Sequence, residues 1–168
     1  MKTAIVPGSF DPMTLGHLEL VKKALGMFDR VIVALLINPD KEYMFPADVR
    51  KKAAELTVSG LDRVEVVSYD GYLVDLAREK GARFIVKGAR NGKDFCYEKE
   101  MAEINSGLYP DAQTIIIPSY GKFDGISSTT VRRRLIRNRP ITGYMVPEAA
   151  KYIKIAASKI DLTKYEQT

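Results

Sequence analysis

A chain of 168 residues with 46% hydrophobic content is sized for one domain with a proper core. It holds no apolar run long enough to span a bilayer and no signal-peptide pattern. Its single cysteine, Cys96, excludes a disulfide framework or a cysteine metal cluster and points to a cytoplasmic setting. A net charge of +5 and a pI near 9.2 favour anionic partners, either nucleic acid or phosphorylated small molecules.

The elements follow in chain order. Ala4-Ile5-Val6 reads as a short strand that breaks at Pro7-Gly8, because proline cannot donate to a ladder and glycine tolerates φ > 0. A polar turn, Ser9 to Met13, leads to a helix opening at Thr14-Leu15-Gly16-His17. Free N–H groups and the positive end of the dipole there suit a phosphate. The only histidine of the chain lies in that first turn, beside a glycine that leaves room for a ligand. Leu18, Val21, Ala24, Leu25 and Phe28 form one apolar helix face, with Thr14 as the N-cap. A second strand, Val31 to Leu36, is apolar throughout, as when both faces of a parallel sheet are covered. Asn38-Pro39-Asp40 turns the chain and presents Lys41.

Asp48 to Val58 reads as a helix with Val49, Ala53 and Leu56 inward. Val64 to Val67 is a third strand, Leu73 to Lys80 a helix stopped by Gly81, and Phe84 to Val86 a fourth strand running into Lys87-Gly88-Ala89-Arg90. A helix is expected over Tyr97 to Asn105, with Glu98 in its first turn and Cys96 and Tyr97 as packing residues. Thr114 to Ile117 is a fifth strand, closed by Pro118. The loop Ser119 to Gly125 leads through Ile126-Ser127-Ser128-Thr129 into a basic helix, and Pro147 opens a last helix to about Lys159. One domain over residues 1–160 is expected, with a loose polar tail over 161–168. The alternation predicts an α/β fold: a Rossmann-like, doubly wound, five-stranded parallel sheet with helices on both faces, binding ligand beyond the C-terminal strand ends. Ser9 to His17, Lys41, Leu73, Lys87 to Arg90 and Ser119 to Thr129 all fall at such ends.

The G-x-x-x-x-G-K-[ST] loop, G-x-G-x-x-G, H-E-x-x-H and paired C-x-x-C are absent, so a phosphate cradle must come from helix starts and from Lys41, Lys87 and Arg90. The segment P-G-S-F-D-P-x-T-x-G-H, followed by Ile126-Ser127-Ser128-Thr129-Thr130-Val131-Arg132, resembles the paired signature of the nucleotidylyltransferase superfamily. Asn38-Pro39-Asp40-Lys41, Tyr72 to Ala77, Lys87-Gly88-Ala89-Arg90 and Asp94-Phe95-Cys96-Tyr97-Glu98 are similar to segments of the bacterial phosphopantetheine adenylyltransferases, over most of the chain. That resemblance implies a reaction of ATP with 4′-phosphopantetheine to dephospho-coenzyme A and pyrophosphate, with Mg²⁺ and no protein metal ligand. It implies a cytoplasmic homohexamer, coenzyme A binding in the same crevice, and neither nucleic acid nor membrane as partner.

The resemblance also implies roles. His17, Lys41 and Arg90 would be catalytic, supplying alignment and positive charge to the reacting phosphate. Ser9, Lys41, Leu73 and Lys87 would hold phosphopantetheine. Ser9, Phe10, His17, Gly88, Ala89, Arg90, Glu98 and Phe123, Asp124, Gly125, Ile126, Ser127, Ser128 and Thr129 would line the ATP site. Two positions depart from the common pattern. Position 9 is serine in place of threonine, and position 87 is lysine in place of arginine, which keeps the charge but loses the bidentate fork. The rival acceptors are nicotinamide mononucleotide and a polyol phosphate. A rival class is a nucleic-acid module using Arg132, Arg133, Arg134, Arg137 and Arg139, although no aromatic residues interleave with them.

Overall fold

The structure, a computed structural model, describes residues 1–119, 121–123 and 125–165, with Lys122 by its main chain alone. Five strands form one parallel sheet in the order β3-β2-β1-β4-β5: β1 Thr3–Gly8, β2 Arg30–Ile37, β3 Val64–Asp70, β4 Phe84–Ala89 and β5 Gln113–Pro118. The helices are α1 Leu15–Leu25, α2 Ala47–Val58, α3 Leu73–Glu79, α4 Gly92–Leu108, α5 Ser128–Ile136 and α6 Pro147–Ala157.

The period of two along the inner strands divides the core into two layers. Ala4, Val6, Val31, Val33 and Leu35 face one side and pack with Leu18, Val21, Ala24 of α1 and Ala54, Val58 of α2. Ile5, Ile32 and Ala34 face the other and pack with Leu76 and Ala77 of α3. Both faces are covered, which is why these strands carry no polar alternation. A third cluster joins Met44, Phe45 and Ala53 to Val131 and Leu135 of α5 and Ala149, Ala150 and Ile153 of α6. Each buried valine, leucine or isoleucine in these layers contributes about 1.5–3 kcal/mol of transfer free energy.

The sheet order reverses at β1, since the chain winds one way through β2 and β3 and the other through β4 and β5. A crevice forms at such a switch point. Its opening is visible in the register. β1 pairs with β2 from Thr3 to Gly8, but with β4 only at Ala4 and Ile5. Beyond Ile5 the two strands part, and Pro7, which has no N–H to give, sits where β1 has lost its β4 neighbour.

Five expectations are corrected. The first strand does not break at Pro7-Gly8 but runs through both, since Pro7 and Gly8 stay in register with Ala34 and Leu35. Helix α1 ends at Leu25, and Phe28 reaches the core from the following turn. Helix α4 starts at Gly92, five residues before Tyr97, because the Asn91 side chain accepts the Asp94 N–H at 2.9 Å and caps it. Cys96 and Tyr97 are exposed on this helix, not packed. The tail is not loose over Leu162–Tyr165, which forms a 3₁₀ turn whose Leu162 and Tyr165 pack on the third cluster; residues 166–168 lie outside the described residues. Among the described residues no helix is long and apolar enough to cross a membrane.

Candidate active site

A cleft of about 630 Å³ opens beyond the C-terminal ends of β1, β4 and β5. Its floor is the loop between β1 and α1. The Ser9 hydroxyl accepts a hydrogen bond from the Lys41 ammonium at 3.0 Å, so the loops after β1 and β2 meet through a predicted pair. Phe10 belongs to the wall, but its ring is turned into the core at 2% exposure. It lies against Gly8, where any Cβ would come within 2.9 Å of the ring, and edge-on to His17 with centroids 5.2 Å apart. Phe10 therefore supports the histidine from behind.

His17 occupies the third position of α1. Its Nδ1 accepts the main-chain N–H of Thr14 at 3.0 Å, taking the part an acid plays in a capping box. An Nδ1 that accepts leaves the proton of the neutral ring on Nε2. Burial, then the Arg90 guanidinium, then the Lys87 ammonium push its pKa from 6.5 down to about 4. The positive charge expected of His17 is thus corrected: near pH 7 it is a neutral N–H donor, and the cationic charge comes from lysine and arginine.

The loop after β4 brings the remaining cations. Lys87 lies 3.2 Å from Glu98 Oε1, and Arg90 Nε donates to Asp94 Oδ2 at 2.7 Å. The Arg90 bond holds the Asp94 carboxyl below the usual carboxylate range. Among the described residues Glu98 Oε2 is buried without a hydrogen-bond partner, which leaves an acceptor whose unmet desolvation costs about 1–3 kcal/mol. Lys87, Gly88, Arg90 and Glu98 all line the cleft.

The second signature docks onto the first. The Ser128 hydroxyl donates to the Pro12 carbonyl at 2.8 Å, and Arg132 donates to the Asp11 carbonyl at 2.6 Å. The Ile126 carbonyl would lie 3.1 Å from a Cβ at position 16, so Gly16 is what lets the two motifs close. Ser127 caps α5 by accepting the Thr130 N–H, and the Thr129 hydroxyl accepts from Arg132. These hydroxyls therefore build the junction, while the N-terminal end of α5, with its positive dipole end, faces the cleft at Ser127, Ser128 and Thr129.

Some expected residues are not in the wall. Leu73 packs beneath the sheet in the α3 layer, Ala89 is buried at the end of β4, and Phe123 and Gly125 lie outside the cleft. Asp124 lies outside the described residues. Other residues were missed. The Asp11 carboxylate, 5% exposed as a residue, accepts the Met44 and Phe45 N–H groups at 2.9 and 3.0 Å and fixes the segment after Lys41. Arg50, 1% exposed, holds the carbonyls of Ser9 and Phe45. Tyr97, Lys164 and Tyr165 add to the rim. No sequence signal marks Arg50, since a charged residue on a helix is ordinarily solvated.

With this geometry in place, comparison with known proteins decides the family. The cytidylyltransferase-like family model matches residues 5–134. A phosphopantetheine adenylyltransferase of Clostridium novyi is 40% identical over 160 residues, covering 95% of this chain and 98% of that one. One from Francisella philomiragia is 45% identical over 147 residues, covering 88% and 91%. The chain belongs to the phosphopantetheine adenylyltransferase family. A solved chain from Vibrio parahaemolyticus, assigned as a nicotinate-nucleotide adenylyltransferase, shares the fold with a TM-score of 0.73 at 22% identity, covering 96% of this chain and 98% of its own. The family's nucleotidylyltransferase fold is the five-stranded parallel sheet described above, and family membership makes the chain a nucleotidyltransferase.

Proposed function

We propose that the chain transfers the adenylyl group of ATP to 4′-phosphopantetheine, releasing pyrophosphate and giving dephospho-coenzyme A in coenzyme A biosynthesis. The observation that carries the reading is the convergence of Ser9, His17, Lys41, Lys87 and Arg90 on one cleft at the sheet's switch point, in a chain of this family. An acceptor phosphate is largely ionised at neutral pH, by analogy with a phosphoserine of second pKa about 6. Its oxygen attacks the α-phosphorus of ATP, the bond to the bridging oxygen breaks, and pyrophosphate leaves with that electron pair. No protein nucleophile or strong base is required, and the work left for the chain is alignment and charge.

Lys41 and Lys87 hold the acceptor, and Arg90 and the start of α5 receive the nucleotide phosphates. His17 donates from Nε2 to the α-phosphate, where charge shifts as the bonds exchange. Glu98 Oε2, short of a partner, accepts from a nucleotide N–H or hydroxyl. Lys87 and Arg90 are held meanwhile by Glu98 and Asp94, carboxylates that incoming phosphates displace. Mg²⁺ travels with ATP and neutralises phosphate charge when bound. Among the described residues no three acidic, histidine or cysteine side chains gather to hold an ion. A cytoplasmic homohexamer, with dephospho-coenzyme A and coenzyme A entering the same cleft, completes the proposal.

Pyrophosphate release from ATP, measured with phosphopantetheine, nicotinamide mononucleotide and a polyol phosphate, is the test. Turnover restricted to phosphopantetheine is the expected result. Turnover restricted to another acceptor overturns the substrate, and none at all overturns the activity.

A further inference from the structure

Arg50 is buried to 1% exposure in α2, yet the reaction above gives it no part. Among the described residues its side-chain hydrogen bonds and ring contact go to loops that carry site residues. One guanidinium nitrogen donates to the Ser9 carbonyl at 2.7 Å, at the floor of the cleft. Nε donates to the Phe45 carbonyl at 3.0 Å. The guanidinium carbon also lies over the Tyr43 ring, 3.7 Å from its centroid. Tyr43 is the hub of the loop after β2: its hydroxyl accepts the Asn38 N–H at 3.1 Å, and the Lys41 ammonium stands 5.6 Å from its ring centre. One rigid, planar group therefore spans the loop that presents the Ser9 hydroxyl and the loop that presents Lys41. Those two side chains meet 3.0 Å apart at the cleft. The Asp11 carboxylate, itself tied to Met44 and Phe45, supplies the counter-charge that makes a buried cation tolerable there. A cation merely filling the core would not need bonds divided between two catalytic loops, since an apolar side chain of the same volume packs as well.

We propose that Arg50 is the positioning residue that keeps the Ser9 hydroxyl and the Lys41 ammonium in register with each other, through the Ser9 carbonyl on one side and the Tyr43 ring on the other. The inference rests on the adenylyl-transfer reading, in which Lys41 holds the acceptor phosphate. A misplacement of about 1 Å between reacting groups is enough to cost on the order of a hundredfold in rate. Lysine at position 50 keeps the charge but offers neither the fork nor a plane to stack, so it restores only part of the function.

The experiment is a double-mutant cycle between positions 50 and 41, reading kcat and KM for pyrophosphate release from ATP and phosphopantetheine. Arg50→Met is expected to lower kcat/KM by roughly 30- to 100-fold, mostly in kcat, and Arg50→Lys by an intermediate factor. In a Lys41→Ala background Arg50→Met should cost less than about threefold, because residues that act through one another do not add. If Arg50→Met does not fold, Tyr43→Leu takes its place in the same cycle. Equal losses in both backgrounds would show a structural role alone and overturn the proposal. A wild-type chain inactive on every acceptor would instead remove the reaction beneath it, so the two failures are distinguishable.

Discussion

The two walls of the cleft are built on opposite plans. On the β1 side the polar groups are locked by the protein. Asp11 holds two main-chain N–H groups, Arg50 holds two carbonyls, His17 holds the Thr14 N–H, and Ser128 and Arg132 reach across more than a hundred residues to the Pro12 and Asp11 carbonyls. On the β4 side the cations are held by side chains that remain partly open to solvent. Lys87 rests on Glu98 and Arg90 on Asp94. Helix α4, which carries both acids, buries only Asn105 and leaves Phe95, Tyr97, Ile104 and Leu108 about half exposed. Main-chain partners cannot be exchanged for a ligand without unfolding a turn, whereas a carboxylate can be displaced by a phosphate of the same charge sign. One wall therefore fixes geometry, and the other receives ligand.

Breaking the locked wall should have the largest effect. His17→Ala is expected to lower kcat by about 10²–10³ with little change in KM, as when one donor to developing charge is removed. Steady-state kinetics with both substrates varied checks this, and an unchanged kcat removes the role. Asp11→Ala strips two buried N–H groups of their acceptor, each worth about 1–3 kcal/mol. Thermal denaturation should show a drop in Tm of roughly ten degrees, at a few degrees per kcal/mol for a domain of this size.

The receiving wall should respond more gently. Asp94→Asn frees Arg90 from a half-exposed pair, a change worth less than about 1 kcal/mol. Titration calorimetry should show ATP binding tightened by at most a few fold, with the gain shrinking as salt is added. Weaker ATP binding in this variant would mean that Asp94 orients the arginine, and the contrast between the walls would fail on that point.

A separate measurement sharpens the electrostatics. The chain has a single histidine, so its imidazole resonance is unambiguous by NMR. The midpoint should fall near 4, not 6.5, because burial and the neighbouring Arg90 and Lys87 disfavour the charged ring. The unfolded chain takes up this proton near pH 6.5 and the folded chain does not. The stability linked to His17 is therefore complete above about pH 6.5 and lost as pH falls toward 4. Over the same window His17→Asn should flatten the stability profile. A midpoint near 6.5 would return the positive charge to the histidine and undo its assignment as a neutral donor.

Much of this was legible in the residues. The apolar runs Val31–Leu36 and Phe84–Val86 read as covered strands, and alternation with helical periods left a parallel sheet as the ready answer. The two signature segments marked His17, Ser127 and Thr129 through their likeness to the nucleotidylyltransferase motifs. Arg50 was not legible, because a charged residue on a helix is ordinarily solvated and only the fold shows it buried against the Ser9 and Phe45 carbonyls and the Tyr43 ring. Leu73 shows the reverse case, a residue marked by likeness that the fold turns into the α3 layer. The early start of α4 was written in Asn91 and Asp94, a cap spacing hidden behind Gly92.

By itself the order of the residues determined the elements, the sheet's class and the chemical kinds of group at its strand ends, since periodicity and turn chemistry act over a few neighbours. Which of those groups keep a free face was decided only in three dimensions. The Ser128 hydroxyl is spent on Pro12, the His17 ring is discharged by enclosure beside two cations, and Glu98 is left with one oxygen unmet among the described residues. Such outcomes depend on desolvation and on partners far along the chain, and no local pattern carries that information.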